Sequence, residues 1–250
     1  MKNNKVSIIT PSYNSSYFIE ATIQSVLEQT YTDWEMIIVD DCSKDSSVEV
    51  IQSFIAKDDR IKLLINSENK GAAESRNEAL RLASGKYIAF LDSDDTWYPY
   101  KLEKQIQFME DNGYEFTFSA YDIMSEEGNS LGKLVKVPKE ITYNQYLKNT
   151  IIGCLTVVIN KENVGYFEMP IIRSSHDMAL WLLIMKRGFT AYGLSEVLAT
   201  YRLVNTSNSA SKTKAAKDVW KVYREIEHLS LIKSIYCFLH YAFNAVYKRL

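Results

Sequence analysis

Four short runs rich in Ile, Val and Leu recur within the first hundred residues: Val6 to Thr10, Met36 to Asp40, Ile61 to Ile65 and Tyr87 to Leu91. Runs this short and this apolar read as strands covered on both faces, the pattern of a parallel sheet. Between them the spacing turns helical, with Ile19, Ile23, Val26 and Leu27 in the first interval, Val48, Ile51 and Ile55 in the second, and Ala72 to Ala83 in the third. The alternation predicts βαβ units, hence an α/β domain whose mostly parallel central sheet is flanked by helices. Turn chemistry agrees. Asn14 and Ser15 precede the first helix, Asp45 and Ser46 precede the second with Glu49 at capping-box spacing from Ser46, and Gly85 follows the third.

The rest of the chain is less regular. A helix is expected over about 99–112, a strand over 115–120, a hairpin turn or loop in the polar stretch 125–132, a strand over 154–160, and a helix over 177–187 that stops at Gly188. Residues 204–215, rich in Ser, Asn, Thr and Lys, read as a mobile loop or linker, and a helical tail follows to residue 250. A net charge of −2 gives no global attraction to nucleic acid. Cys42, Cys154 and Cys237 are widely separated and form no CxxC pair, so neither a disulfide framework nor a zinc site is expected. The apolar segment after Met1 meets Pro11 and Asn14 too early for a signal-peptide core, and Ser234 to Tyr247, free of charged residues, is short of the roughly 20 residues a spanning helix needs. The expectation is a cytoplasmic chain.

In open α/β sheets, ligands bind beyond the carboxyl ends of the strands. Acidic residues stand at those ends: Asp40 and Asp41 after the second strand, Asp92, Asp94 and Asp95 after the fourth. Clustered carboxylates repel unless a cation or donors compensate, and hard oxygen ligands suit Mg²⁺ or Mn²⁺, which complete their shells with phosphate oxygens. The implied ligand is a nucleotide diphosphate. The alternative is that these residues are helix caps and turn formers, the reading preferred for Asp45 but not for a triplet within four positions.

Five blocks in order then carry a resemblance. Pro11-Ser12-Tyr13-Asn14, Ser25 to Tyr31, Ile38 to Asp45, Gly71 to Asn77 and Phe90 to Asp95 resemble the successive motifs of family 2 glycosyltransferases with the GT-A fold, densely over residues 5–110 and more thinly to about 203. The resemblance implies a nucleotide-sugar-binding half over 1–110, an acceptor-binding and catalytic half of the same domain over 111–203, and a tail over 204–250. It implies that Pro11, Tyr13 and Asp41 hold the base, that Arg76 lies near the nucleotide, and that Asp92, Ser93 and Asp94 form a DxD motif in which Asp94, with Asp92, binds Mn²⁺ or Mg²⁺. Residues 173–181 resemble the family's acidic motif at a helix start, which makes Asp177 the catalytic base, with His176, Trp181 and Cys154 as possible acceptor-site residues. Arg202 and the loop 204–211 resemble the segment that closes over the nucleotide, so Arg202 is expected to reach the diphosphate. Tyr13 has an alternative as a core aromatic, Arg76 as an exposed ion pair with Glu74 or Glu78, and Asp177 as a helix cap. Many family members carry Gly where this chain has Cys42, and Glu where it has His176.

The implied activity is metal-dependent, inverting transfer of a hexose or N-acetylhexosamine from a nucleotide sugar, in particular a UDP-sugar, to a lipid-linked saccharide in bacterial surface polysaccharide synthesis (capsule, O-antigen or teichuronic type). The tail supplies a second hint: Ile232, Ile235, Leu239, Ala242, Phe243, Val246 and Leu250 fall at helical spacing amid excess Lys and Arg, which predicts peripheral contact with the inner face of the cell membrane, or packing on the domain or a second subunit. Oligomeric state is left open. Two rival readings are a sugar-phosphate nucleotidyltransferase, for which the first strand lacks a Gly-rich basic loop, and a non-catalytic nucleotide-sugar-binding protein.

Overall fold

The computed structural model describes residues 4–204 and 212–247. Residues 205–211 of the lid expected over 204–211, and the terminal Lys248, Arg249 and Leu250, lie outside them. In chain order the elements are β1 (Val6–Ser12), α1 (Ile19–Leu27), β2 (Trp34–Asp40), α2 (Ser47–Ile55), β3 (Ile61–Ile65), α3 (Ala72–Leu82), β4 (Tyr87–Phe90), β5 (Thr96–Trp97), α4 (Lys101–Asn112), β6 (Phe116–Met124), β7 (Ser130–Val135), β8 (Glu140–Ile141), α5 (Tyr143–Tyr146), β9 (Val158–Asn160), α6 (Lys161–Val164), α7 (His176–Lys186), β10 (Ala191–Arg202), α8 (Lys212–Lys221) and α9 (Leu231–Tyr247).

One sheet runs β3-β2-β1-β4-β9-β6-β10-β5, with β7 beside β6 and β8 beside β10. The apolar runs read from the sequence form its parallel half, where β1 pairs with β2 and β4, and β2 pairs with β3. Beyond β4 the sheet is mixed: β9 runs antiparallel to both β4 and β6, while β10 is parallel to β6. The chain winds outward from β1 through β2 to β3, then returns to lay β4 on the other side of β1. That reversal opens a crevice at the carboxyl ends of β1 and β4, the place where such sheets bind ligands. One sheet therefore spans both halves anticipated from the sequence.

Core residues cover both faces. Ile8, Ile38, Ala89 and Leu102 belong to one apolar cluster under α1, α2 and α4, and Ile9, Ile37, Phe90 and Trp181 belong to the other under α3 and α7. Successive strand residues point to opposite faces, so Ile8 and Ile9 enter different clusters, which explains why these strands show no polar alternation. Pro11 sits within β1, opposite Val39. Leu91 N–H donates to the Ile9 carbonyl as the last bond on the β4 side. Pro11, two residues on, faces that same side past the end of β4, so its missing N–H breaks no ladder bond.

The polar stretch 125–132 is the turn of the β6/β7 hairpin. The capping box expected at Ser46 does not form: no side-chain bond caps α2 from Ser46. Asp45 takes its place, accepting from Ser47 N–H at 3.1 Å and from Ser16 N–H at 3.0 Å, because its two oxygens can serve the helix start and the neighbouring loop at once.

Candidate active site

The crevice is edged by three loops that follow strand ends. The loop after β1 and the loop after β2 are laced together: Asn14 N–H donates to Ser43 Oγ at 2.8 Å, Lys44 N–H to Asn14 Oδ1 at 2.9 Å, Ser15 N–H to Ser47 Oγ at 2.8 Å and Asp41 N–H to the Ser12 carbonyl at 2.8 Å. Asn14 and Cys42 both adopt left-handed backbone, with φ of 48° and 65°. Asn tolerates this conformation; Cys does so at a steric penalty, so the loop that glycine would enter freely is here held against strain by the lacing. Tyr13, raised on this edge, is 51 % exposed. It is a rim aromatic and not the core residue allowed as its alternative.

Asp41 is buried, and its carboxylate is heavily engaged. Oδ1 accepts from Asn66 Nδ2 at 3.1 Å and Lys70 N–H at 2.8 Å, and Oδ2 from Gly71 N–H at 2.8 Å. Three of roughly four acceptor positions on an ionised carboxylate are thereby used. Asp41 fixes the turn that launches α3, where Gly71 has φ 88°, with about one acceptor position left over. Asn66, Lys70 and Gly71 in this role escaped the sequence reading.

Arg76 overturns its exposed alternative. It is only 5 % exposed, and Glu74 and Glu78 pair instead with Arg81 and Lys70. Its guanidinium joins two remote elements: Nη2 donates to Asp92 Oδ1, and Nη1 to His176 Nε2 at 2.6 Å. Burial is the largest single influence and opposes its charge, but the neighbouring anionic groups, Asp92 first among them, together outweigh it and raise the pKa above the ordinary range. A guanidinium donor on Nε2 makes that nitrogen the acceptor, and burial followed by the Arg76 charge lowers the His176 pKa. The imidazole is neutral at pH 7.

After β4 the chain passes Asp92, Ser93 and Asp94, all half-buried, to the buried Asp95. Burial, then the charge of Asp92, pushes the Asp94 carboxyl up to about 6; burial, then Asp94 and Asp92, raises Asp95 well above the usual range. The crowding of negative charge anticipated from the sequence is present. Asp95 is a structural member of the group, accepting Arg202 N–H at 2.8 Å while its carbonyl takes Thr22 Oγ1 at 2.8 Å.

Arg202, expected to reach the diphosphate, makes several contacts within the protein. It is buried, with Nε donating to the Asp94 carbonyl at 2.7 Å, Nη1 to the Glu126 carbonyl at 2.9 Å, and its guanidinium 5.2 Å from the Phe18 ring centre. These contacts tie the end of β10 and the β6/β7 turn to the acidic loop. Arg202 shapes that loop from behind.

Asp177 lies in the first turn of α7, whose N-cap is Ser175 at φ 58°, with no capping side-chain bond. The cap alternative for Asp177 is therefore not what forms. Among the described residues its carboxylate accepts no hydrogen bond, unlike those of Asp41 and Asp95. Trp181, one turn further, is fully enclosed, with its ring 5.3 Å from Phe90 and 5.4 Å from Phe116 between centres. It is a core residue and presents no surface to an acceptor, because the apolar face of α7 must cover the sheet. Cys154 opens a single 3₁₀ turn, is buried, and has its thiol pushed well above the ordinary range by burial; Arg76, Asp92 and Asp177 all lie within electrostatic reach of it. It underlies the site.

Among the described residues no group of three His, Cys, Asp or Glu side chains surrounds a common point. Asp94 and Asp92 nonetheless suit a divalent cation: they are hard oxygen donors two residues apart at the end of one strand, and the Asp94 carboxyl is raised first by burial and then by the Asp92 charge. One or two carboxylates completed by substrate phosphates is the usual arrangement for Mg²⁺.

The sequence pattern of Glycosyl transferase family 2 matches residues 7–167. The chain belongs to this family. Among curated relatives, TuaG of Bacillus subtilis (strain 168), named for teichuronic acid biosynthesis, is 53 % identical over 98 % of this chain and 97 % of its own length. The UDP-Glc:alpha-D-GlcNAc-diphosphoundecaprenol beta-1,3-glucosyltransferase WfgD of Escherichia coli is 43 % identical over 96 % of this chain and 93 % of its own. Among solved structures, S. aureus TarS 1-349 in complex with UDP superposes with a TM-score of 0.68 at 19 % identity, covering 94 % of this chain and 69 % of that one. The mannosyltransferase PcManGT from Pyrobaculum calidifontis, in complex with GDP-Man and Mn²⁺, gives 0.71 at 18 % identity over 90 % and 64 %. Both structures share the GT-A fold with this glycosyltransferase, and membership in the family sets the nucleotidyltransferase reading aside.

Proposed function

We propose that this family 2 enzyme moves a hexose or N-acetylhexosamine from a UDP-sugar to a lipid-linked saccharide during assembly of a bacterial surface polysaccharide, inverting the anomeric centre. The observation that carries the reading is the Arg76 bridge, which brings Asp92 of the strand-end carboxylates and the His176–Asp177 helix start to one buried guanidinium. In this reading uracil stacks at Tyr13 and uses the remaining acceptor position of Asp41. Asp94, with Asp92, holds Mn²⁺ or Mg²⁺, which when bound supplies charge neutralisation for the departing diphosphate. Asp177 takes the proton from the acceptor hydroxyl as that oxygen attacks the anomeric carbon. His176 stays neutral and orients Arg76; Arg202 holds the acidic loop in shape.

The UDP-sugar and lipid-diphosphate assignments are supported by the activity for which the E. coli relative is named, and the polysaccharide context by the name of the B. subtilis one. Among the described residues no helix is long and apolar enough to cross a membrane. α9 is nevertheless amphipathic in an uncommon way: Ser234, Cys237 and Tyr241 pack inward, while Ile232 (82 % exposed), Leu239 (65 %) and Phe243 (68 %) point away. That outward face, with Lys233 and Lys148 beside it, supports peripheral attachment to the inner leaflet, where a lipid-linked acceptor resides.

The test is calorimetric titration with UDP and with GDP, each in Mn²⁺ and in EDTA. UDP binding that weakens at least tenfold in EDTA and in Asp94→Asn is expected. Equal affinity in Asp94→Asn removes the metal assignment, and preference for GDP removes the uridine one.

A further inference from the structure

β7 is exposed along almost its whole length. Its place follows from the pairing of β6, whose one side is taken up by β10. On the other side β9 runs beside Phe116 and Thr117, and β7 beside Tyr121 to Met124. β4 and β6 are both antiparallel to β9, so β7 lies toward the carboxyl end of β4, where the crevice opens. Among the described residues no strand lies along its outer edge. The hairpin is nonetheless held at both ends. At its turn the Arg202 guanidinium joins the Glu126 carbonyl to the Asp94 carbonyl, and beyond β7 Gly193 N–H donates to the Lys139 carbonyl at 2.8 Å.

Edge strands are commonly guarded against unwanted pairing by charge, above all lysine. Residues 130–139 carry Lys133, Lys136 and Lys139, all exposed, and no Asp or Glu. They also expose Leu131 and Leu134, which guard nothing. The ladder steps from Ile123↔Lys133 to Met124↔Ser130, leaving Leu131 and Gly132 (φ 63°) in a bulge, a device that re-aims side chains. Apolar side chains interleaved with ammonium groups suit a bilayer surface, where the first enter the acyl boundary and the second stay among anionic headgroups. Self-pairing of two such strands would set lysines of like charge against each other. We propose that the β6/β7 hairpin is a second membrane contact, selective for an anionic leaflet and separate from α9, and that it holds the acidic loop toward the bilayer. The proposal rests on the reading that the acceptor is lipid-linked: a crevice held at headgroup level meets a saccharide carried there.

The experiment is co-sedimentation of the full chain with vesicles of phosphatidylcholine alone and of phosphatidylcholine mixed equally with phosphatidylglycerol. Three variants are compared with the wild type: Lys133→Gln/Lys136→Gln/Lys139→Gln, Leu131→Ser/Leu134→Ser, and Leu239→Ser/Phe243→Ser on α9. All these positions are exposed, and an unchanged circular dichroism spectrum checks folding. Each lysine near an anionic leaflet contributes about fivefold to partitioning. The lysine variant is therefore expected to bind the anionic vesicles roughly tenfold or more weakly, with little change on phosphatidylcholine, and the difference is expected to shrink in high salt. The leucine variant is expected to weaken on both vesicles. Hairpin variants that partition as the wild type does, while the α9 variant is lost to solution, overturn the hairpin contact and leave the α9 attachment standing. A wild-type dimer by light scattering that the hairpin variants turn into a monomer assigns β7 to a second copy and overturns it too. A wild type that binds neither vesicle overturns the membrane reading as a whole.

Discussion

Replacing Lys101 with Met tests how the acidic loop is underpinned. Lys101 opens α4 fully enclosed, its ammonium donating to Gln105 Oε1 at 2.6 Å and standing 4.5 Å from the centre of the Trp97 ring. Gln105 passes the chain on to Thr117 Oγ1 at 3.1 Å and the Thr156 carbonyl at 2.9 Å, and Trp97, two residues after Asp95, donates to the Leu155 carbonyl at 2.8 Å. Among the described residues no carboxylate pairs with this lysine, and burial pushes its pKa from 10.5 down to about 7. The folded-state value lies below the unfolded one, so between pH 7 and 10.5 the unfolded chain binds more protons and stability rises with pH. Below pH 7 both states are protonated and the penalty is full. Worked from the two pKa values, that penalty shrinks by about 2 kcal/mol between pH 7 and pH 9. Methionine fills a similar volume without the charge, but strands Gln105 Oε1, a pH-independent loss of about 1–3 kcal/mol. The diagnostic is therefore the slope of the difference. Urea unfolding followed by Trp fluorescence at pH 7, 8 and 9 is expected to show the wild type gaining about 2 kcal/mol on Lys101→Met. A difference constant across that range refutes the argument and means that the buried ammonium keeps its proton.

Asp177→Asn is expected to lower turnover by about 10²–10⁴-fold while leaving UDP affinity intact, checked by nucleoside diphosphate release alongside calorimetry. Normal turnover moves the base elsewhere. Cys42→Gly relieves a left-handed residue at φ 65° and should stabilise by about 1 kcal/mol, read as a raised Tm; a lowered Tm means that the contacts of Sγ with the Ser67 carbonyl and Lys44 outweigh the strain. Gly85→Ala places a Cβ 2.6 Å from the Lys5 carbonyl and 2.7 Å from Ser7 N, both backbone atoms. A loss of about 1–3 kcal/mol is expected in urea unfolding, and a neutral outcome means that β1 and β4 can separate there without penalty.

The parallel half of the fold was legible because its information is local. The run Met36 to Val39 can only be a doubly covered strand, and Asp40 and Asp41 then fall at its carboxyl end by necessity. What escaped was everything decided by remote partners. Arg76 looks like an ordinary helix-surface arginine between Glu74 and Glu78; only the fold brings Asp92 and His176 to it. Trp181 and Asp177 sit four residues apart on one helix, yet the sheet encloses the first and leaves the second half-buried. Arg202 reaches the Asp94 and Glu126 carbonyls, contacts that its place at a strand end does not announce. Lys101 did leave a trace: with Leu102, Gln105, Ile106 and Met109 it follows the buried stripe of α4, a polar pair embedded in apolar spacing.

The Arg76 contacts also constrain how such enzymes can be recombined. Grafting the part of one family member from α7 onward onto the N-terminal part of another, with a junction anywhere between α3 and α7, pairs the guanidinium of one parent with the helix start of the other. A neutral imidazole at position 176 leaves the full positive charge directed at Asp92. A carboxylate there competes for it. Chimeras in which residues 76 and 176 come from the same parent should keep the Arg76–Asp92 contact, and those that split the pair should need a compensating change on α3.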